Sequence, residues 1–88
     1  MISGQTTVRN RVGLHLAAAS MVVETSMKFK ARITVAKDRK KRNALSVLDL
    51  LMLEATPGTL LTIEADGEDE QAALSALLEL FDRNFGEK

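Results

Sequence analysis

Strand-like and helix-like patterns alternate along this chain, with no repeat or low-complexity linker between them. The strand-like segments are bounded by turn residues and span residues 5–8, 30–37, 40–42 and 59–65. The helix-like segments carry apolar residues three or four positions apart and span residues 16–26, 47–53 and 70–86. Helices laid on one face of a small antiparallel sheet bury the apolar faces of both. The order β-α-β-β-α-β-α therefore predicts an α+β two-layer sandwich with four strands and three helices.

The length of 88 residues suits one modest hydrophobic core, so we expect a single domain over residues 1–88. A hydrophobic fraction of 45% with zero net charge excludes a disordered chain. No apolar run approaches the roughly 20 residues that cross a bilayer. Residues 1–4 lack the charged and apolar regions of a secretory signal. These observations favour a cytoplasmic protein with no membrane insertion.

Cysteine is absent, which excludes disulfides, thiolate catalysis and Cys-based metal sites. His15 is the only histidine, so a metal site built from several imidazoles is excluded as well. No Gly-rich loop of the nucleotide-binding type occurs. We therefore expect neither a metal nor a cofactor.

The zero net charge conceals an uneven distribution of charged residues. Residues 1–42 hold ten basic and two acidic residues, whereas residues 43–88 hold two basic and ten acidic ones. Such a division is typical of nucleic-acid binding, of partner docking, or of two halves that attract each other in the fold. The basic run at 40–42 fits the solvated end of a hairpin. Because Trp and Tyr are absent, the usual base-stacking platform is missing, and we expect no nucleic-acid partner.

His15 stands between a loop at Gly13 and the first turn of an Ala-rich helix. Backbone N–H groups at a helix start lack intrahelical partners, and they stabilise an anion such as phosphate. A neutral imidazole is a nucleophile, so His15 at this place is a candidate phosphoryl acceptor. Spacing alone favours the simpler interpretation that His15 only caps the helix.

Ser46 also has two interpretations. With Asp49 three residues later it fits a variant of the capping box, in which the hydroxyl accepts a first-turn N–H and the acid reaches back. A phosphoserine at a helix N-terminus is electrostatically favourable, so Ser46 is also a candidate phosphorylation site. The two roles are compatible.

Several segments together resemble the HPr family, the histidine-containing phosphocarriers of the bacterial phosphotransferase system. The resemblance covers nearly the whole chain and keeps the family's spacing between its histidine and serine motifs. Its segments are Asn10–His15, Phe29-Lys30, Asn43–Leu48, Glu68–Glu70 and Phe85-Gly86-Glu87. The family fold, an open-faced sandwich in which three helices cover one face of a four-stranded antiparallel sheet, matches the order predicted above.

The resemblance implies a relay function rather than an enzymatic one. In the family, Enzyme I transfers phosphate from phosphoenolpyruvate to the histidine matched by His15, which passes it to an Enzyme II A component. The serine matched by Ser46 is phosphorylated by an HPr kinase in many bacteria, which signals to transcriptional regulators. Val47, Leu48 and Leu51 match apolar positions that family members present to partners.

The chain departs from the family pattern directly after the histidine. Where the family has Ala-Arg-Pro, this sequence has Leu16-Ala17-Ala18, so the arginine that pairs with phosphate is missing. Losing one charge-assisted contact costs about 1.5–3 kcal/mol. The backbone N–H groups of Leu16 and Ala17, together with Arg11 and Arg9, are the remaining candidates for holding the phosphate.

Two further consequences follow from the departures. Leu45 replaces a lysine that is common before the family's serine, which bears on recognition by a kinase. The altered histidine motif also leaves a second function open. In that alternative, the chain is a regulatory binding module that keeps the fold and the docking helix but carries phosphate weakly.

Overall fold

Four strands and three α-helices follow one another in the computed structural model, which describes residues 1–86. The strands are β1 (Ile2–Thr7), β2 (Arg32–Lys37), β3 (Lys40–Asn43) and β4 (Leu60–Asp66). The α-helices are α1 (Leu16–Ser26), α2 (Val47–Leu51) and α3 (Glu70–Asp82), and a 3₁₀ turn, Asn84–Gly86, follows α3. The predicted order is confirmed. Glu87 of the C-terminal motif lies outside the described residues.

The strands form one antiparallel sheet in the order β1-β4-β2-β3. β2 and β3 are joined by a tight turn in which Lys37 pairs with Lys40 and Asp38 takes a positive φ of 56°. An Asp tolerates this left-handed conformation better than most residues. The predicted hairpin is therefore confirmed, and its basic strand β3 forms one edge of the sheet.

The core lies between the sheet and the helices and is built almost entirely from aliphatic side chains. Alternate residues of β4 (Leu61, Ile63 and Ala65) point into it, which is the period-2 burial expected for a sheet covered on one face. α1 and α3 contribute a stripe of buried residues each, and α1 packs against both α2 and α3. The predicted α+β fold with helices over an antiparallel sheet is confirmed.

The last helix ends earlier than its apolar spacing predicts. α3 stops at Asp82, because Asn84 and Phe85 take positive φ values of 52° and 57° that a helix cannot contain. Phe85 nevertheless reaches the core through the 3₁₀ turn. Its ring packs edge-on against that of Phe81 with centroids 4.8 Å apart. The apolar assignment of Phe85 was right, and its placement within the helix was wrong.

Other boundaries shift by a few residues for tertiary reasons. Val8 lies beyond β1, although it is buried and both donates to Thr59 O and accepts from Gly58 N–H. β2 begins at Arg32 instead of Lys30. α2 ends at Leu51 instead of Leu53, where the chain turns at Glu54 with a positive φ of 52°.

Candidate functional site

The loop that carries His15 is fixed by contacts around Gly13. The amide of Asn10 donates to the carbonyl oxygen of Gly13 at 2.7 Å, and Leu14 N–H donates to Ala55 O at 2.9 Å. Gly13 has a φ of 74°, and a Cβ there would lie 2.4 Å from Ala55 O. Only glycine fits this close approach. The chain therefore enters α1 along one defined path.

His15 is the N-cap of α1, with extended backbone angles of φ −90° and ψ −178°. Its Nδ1 accepts the Ala17 N–H at 3.2 Å, and its carbonyl oxygen accepts the Ala19 N–H at 2.8 Å. The imidazole thus does what a Ser or Asp oxygen usually does at this position. In the neutral form, an accepting Nδ1 leaves the proton on Nε2. The lone pair of Nδ1 points at the first turn of α1.

The first turn of α1 offers backbone groups only. Its residues are Leu16 and three alanines, with no charged side chain among them. Leu16 is 64% exposed and Ala17 is exposed, so both flank the imidazole at the surface. An anion beside His15 would meet N–H dipoles, the positive end of the helix macrodipole, and no arginine from this turn.

The two arginines before the histidine differ in their surroundings. Arg9 lies 3.7 Å from the Asp82 carboxylate, in an ion pair whose two partners are more than half exposed. Arg11 is exposed in the turn before Gly13 and makes no ion pair with any residue from 1 to 86. The guanidinium of Arg9 is therefore already paired with a carboxylate, whereas that of Arg11 is available to bind an incoming anion.

Ser46 is the N-cap of α2, as its spacing predicts. Its Oγ accepts the Asp49 N–H at 3.2 Å. The carboxylate of Asp49 does not return to the Ser46 N–H, which donates to Asn43 O instead. The Asp49 carboxylate accepts the Asn43 N–H at 3.3 Å, so it ties α2 to the end of β3. The prediction that the Asp49 carboxylate would accept the Ser46 N–H was wrong, because the carboxylate accepts the Asn43 N–H instead.

The three apolar residues predicted to meet partners do not share one environment. Leu48 is 73% exposed, whereas Val47 and Leu51 are half-buried and pack against the core. Two further exposed apolar residues border α2: Leu45 precedes the N-cap Ser46, and Met52 is the C-cap. Sequence reasoning missed both, although Met52 lies four residues after Leu48 and so continues the same helix face. We call Leu45, Leu48 and Met52 the α2 apolar face.

Further exposed apolar residues lie on the His15 side of the molecule. Val12 and Leu16 are 66% and 64% exposed, and they flank His15 in sequence. α1 packs against α2, and the bond from Leu14 N–H to Ala55 O joins the His15 loop to the segment that follows α2. Contiguous exposed apolar surface is typical of a site that meets another protein.

Neither a metal site nor a membrane-spanning helix occurs among the described residues. Within residues 1–86, no group of three or more His, Cys, Asp or Glu side chains is placed to hold a metal ion. None of the described helices combines the length and the apolar character needed to cross a membrane.

Comparison with known proteins decides the family. Residues 2–83 match the family model for the phosphorylation site of the HPr component of the phosphotransferase system. This chain belongs to the HPr family. It is 38% identical to the phosphocarrier protein HPr of Xylella fastidiosa over 87 residues, which covers 99% of this chain and 98% of that protein. It is 42% identical to the phosphocarrier protein NPr of Shewanella violacea over 83 residues, covering 94% and 91% of the two chains.

The HPr fold is equally clear from solved structures. The crystal structure of an HPr from Thermoanaerobacter tengcongensis superimposes with a TM-score of 0.95 at 36% identity, covering 100% of this chain and 99% of that one. The family assignment and the open-faced sandwich predicted from the resemblance are both confirmed. The chain is thus a member of the phosphocarrier proteins of the phosphotransferase system.

Proposed function

We propose that this HPr-family protein carries a phosphoryl group on His15, taking it from Enzyme I and passing it to an Enzyme II A component. The observation that supports this most directly is the hydrogen bond between the His15 Nδ1 and the Ala17 N–H at 3.2 Å. This bond supports the proposal because it directs the Nδ1 lone pair of a neutral imidazole towards the N–H groups at the start of α1, which lack intrahelical acceptors. The protein in this role is a carrier and a substrate of Enzyme I.

The proposed transfer needs no group beyond the two partners. The Nδ1 lone pair attacks the phosphorus carried by Enzyme I, the new N–P bond forms, the bond between phosphorus and Enzyme I breaks, and the Nε2 proton passes to the departing group or to water. The Ala17 N–H then loses Nδ1 as its acceptor and gains a phosphoryl oxygen. The first intrahelical bond to His15 runs from the Ala19 N–H. The N–H groups of Leu16, Ala17 and Ala18 are therefore the ones that face the phosphate.

Backbone donors replace the family's arginine in this proposal. With Leu16-Ala17-Ala18 after the histidine, the first turn supplies dipoles but no cation. Arg11 is the better candidate for a supporting charge, because Arg9 already pairs with Asp82. We expect transfer to occur and to be slower than in family members that retain the arginine.

Phosphorylation by Enzyme I and labelled phosphoenolpyruvate tests the proposal. We expect an acid-labile label on the native protein, its loss in His15→Ala, and its retention in Ser46→Ala as the matched control. Addition of an Enzyme II A component should then remove the label. An unlabelled native protein, or a label that persists in His15→Ala, contradicts the proposal.

We also propose Ser46 as a regulatory phosphorylation site for an HPr-type kinase. Its Oγ is half-buried and already accepts the Asp49 N–H at the start of α2. A phosphoryl group there keeps an acceptor for that N–H and adds negative charge beside the Asp49 carboxylate. The charge would arise next to the α2 apolar face, so partner binding should change. Incorporation of phosphate from ATP that is lost in Ser46→Ala is the test.

The α2 apolar face supports a second candidate function, that of a regulatory binding module. Leu48 is 73% exposed and lies two residues after Ser46. If binding without transfer is the function, Leu48→Glu abolishes binding to a transcriptional regulator, while Leu60→Glu, at another exposed leucine on β4, does not. Efficient transfer to an Enzyme II A component instead favours the relay.

A further inference from the structure

A groove opens at the end of the sheet where β3 stops short of the start of β2. The last residue of β3, Asn43, pairs with Thr34, so Arg32 at the start of β2 has no β3 partner. The space left there measures about 510 Å³. It is lined by Phe29, Lys30, Ala31, Arg32, Ile33, Asn43 and Leu45, and we call it the β2 groove. None of these residues belongs to the His15 site.

Both walls of the β2 groove are held in place by hydrogen bonds. On one side, the Asp69 carboxylate accepts the N–H groups of Lys30 and Ala31, each at 2.8 Å. On the other, Leu45 N–H donates to Asn43 Oδ1 at 2.9 Å. The backbone beyond β3 is joined to β2 by the bond from Ala44 N–H to Ile33 O at 3.1 Å. The groove is therefore preformed, which lowers the entropy cost of filling it.

The groove combines apolar walls with positive charge at its mouth. Leu45 is 55% exposed, Phe29 is half-buried, and the buried side chains of Ala31 and Ile33 lie beneath them. Lys30 and Arg32 are exposed, and neither forms an ion pair with any residue that the structure describes.

The acidic groups nearby are largely engaged elsewhere. Asp69 faces Lys30, but its two oxygens accept backbone N–H groups. Asp66 lies opposite Arg32 in the sheet register, but it is 3.5 Å from the N-terminal ammonium. The guanidinium of Arg32 in particular is therefore available to bind an anionic ligand.

We propose that the β2 groove binds an acidic segment of a partner protein, with one apolar side chain between Phe29 and Leu45 and carboxylates on Lys30 and Arg32. Charge complementarity selects this occupant, because neither cation forms an ion pair with a residue that the structure describes, and only Lys30 faces a nearby carboxylate, that of Asp69. An apolar anchor rimmed by charge pairs is a common arrangement in protein recognition. The site acts independently of phosphate transfer at His15.

Titration with a fluorescein-labelled peptide of four glutamates around one leucine tests the proposal. We expect Arg32→Glu to weaken binding about tenfold, the size expected for losing a charge-assisted contact. Arg39→Glu makes the same charge change in the exposed turn between β2 and β3 and serves as the control. If affinity depends on contact with the groove, this variant should alter binding by less than about twofold. Leu45→Ser, or a peptide with serine for leucine, should also weaken it. Amide NMR shifts in the native protein should centre on residues 29–33 and 43–45.

Three outcomes contradict the proposal. Equal weakening by Arg32→Glu and Arg39→Glu indicates unspecific attraction to a basic surface. Amide shifts that centre outside the groove place the peptide elsewhere. Concentration-dependent self-association of the native protein in sedimentation, abolished by Arg32→Glu, makes a second copy of this chain the occupant in place of a partner segment. Circular dichroism of each variant confirms that it is folded.

Discussion

At His15, one lone pair serves two purposes. Nδ1 caps α1 by accepting the Ala17 N–H, and the same lone pair is the nucleophile in the proposed transfer. Capping therefore orients the imidazole before reaction, and phosphorylation moves the acceptor from the ring nitrogen to a phosphoryl oxygen without leaving the N–H unpaired. In the proposed transfer, a first turn made of Leu and Ala would therefore bind the phosphoryl group through its backbone N–H groups.

Restoring the family's arginine should accelerate transfer. Ala17 is exposed, so Ala17→Arg fits without repacking and adds a charged donor beside the phosphate. A contact of about 1.5–3 kcal/mol in the transition state raises the rate roughly tenfold to hundredfold. Quench-flow measurement of transfer from phosphorylated Enzyme I checks this, with Ala72→Arg on the exposed side of α3 as the matched control. Equal rates in the native protein and Ala17→Arg mean that the charge is dispensable or already supplied.

Asp69 gives a prediction about pH. The hydrogen bond from the Lys30 N–H, joined by that from Ala31, holds the pKa of Asp69 below its usual 3.8. A lowered pKa stabilises the fold above that value, and the stabilisation is lost as the pH falls through the folded-state pKa. Asp69→Asn should therefore lower the melting temperature at pH 7, and its difference from the native protein should shrink below about pH 3.8. A difference that is unchanged at pH 2.5, or equally large for the exposed Glu68→Gln, contradicts this.

At the level of elements, α2 shows how a very short helix is kept in place. Its five residues cannot form a stable helix alone. Ser46 caps it, Asp49 ties it to the end of β3, and Leu50 is fully buried in the core. Removal of any one of these three interactions should unfold α2 locally, and so disrupt the α2 apolar face, before the rest of the protein unfolds.

Removing the cap is the simplest test of this view. Ser46→Ala leaves the Asp49 N–H without its acceptor and should cost about 1 kcal/mol of unfolding free energy. Ser46→Asp keeps an acceptor and should cost less. Urea denaturation measures both values, and hydrogen exchange should show faster exchange confined to α2. An Ala variant as stable as the native protein would show that the cap contributes nothing.

The helices and strands were predictable from patterns that lie close together in the sequence, whereas the residues at which they begin and end were not. The apolar spacing of α3, the Ser46 cap and the turn at Asp38 all lie within a few residues of sequence, so each was found. The end of α3 depends on where the Phe85 ring meets Phe81. The start of β2 depends on a carboxylate from Asp69, 39 residues away from Lys30. Leu48 was predicted to be exposed, but Leu45 and Met52 were missed, because which apolar residues stay outside the core depends on the packing of the whole fold.

Over the whole molecule, the two oppositely charged halves of the sequence attract each other in part. Lys41 and Glu64 lie 2.9 Å apart, Arg9 and Asp82 lie 3.7 Å apart, and each pair joins the basic half to the acidic one. The hydrogen bond from Lys41 lowers the pKa of Glu64 accordingly. Arg11 has no such partner among the described residues, so one positive charge next to the His15 loop remains for other molecules.

This distribution predicts how charge steers docking. Family partners are expected to offer acidic surfaces to the region around the histidine, so Arg9→Ala with Arg11→Ala should slow association with Enzyme I. Loss of steering charges lowers an association rate by about tenfold at low ionic strength and by less at high salt. Stopped-flow kinetics measures this, with Arg39→Ala and Lys40→Ala in the hairpin as a matched loss of two charges. An unchanged rate, or the same decrease in the hairpin variant, contradicts it.

NMR of the phosphorylated protein tests most directly whether the α1 amides receive a phosphate on His15. After treatment with Enzyme I and phosphoenolpyruvate, long-range nitrogen–proton correlations distinguish phosphorylation at Nδ1 from that at Nε2. We expect phosphorus on Nδ1 and large amide shifts at Leu16, Ala17 and Ala18. Phosphorylation at Nε2, or an unmodified His15 under conditions that phosphorylate the Ala17→Arg variant, would contradict it.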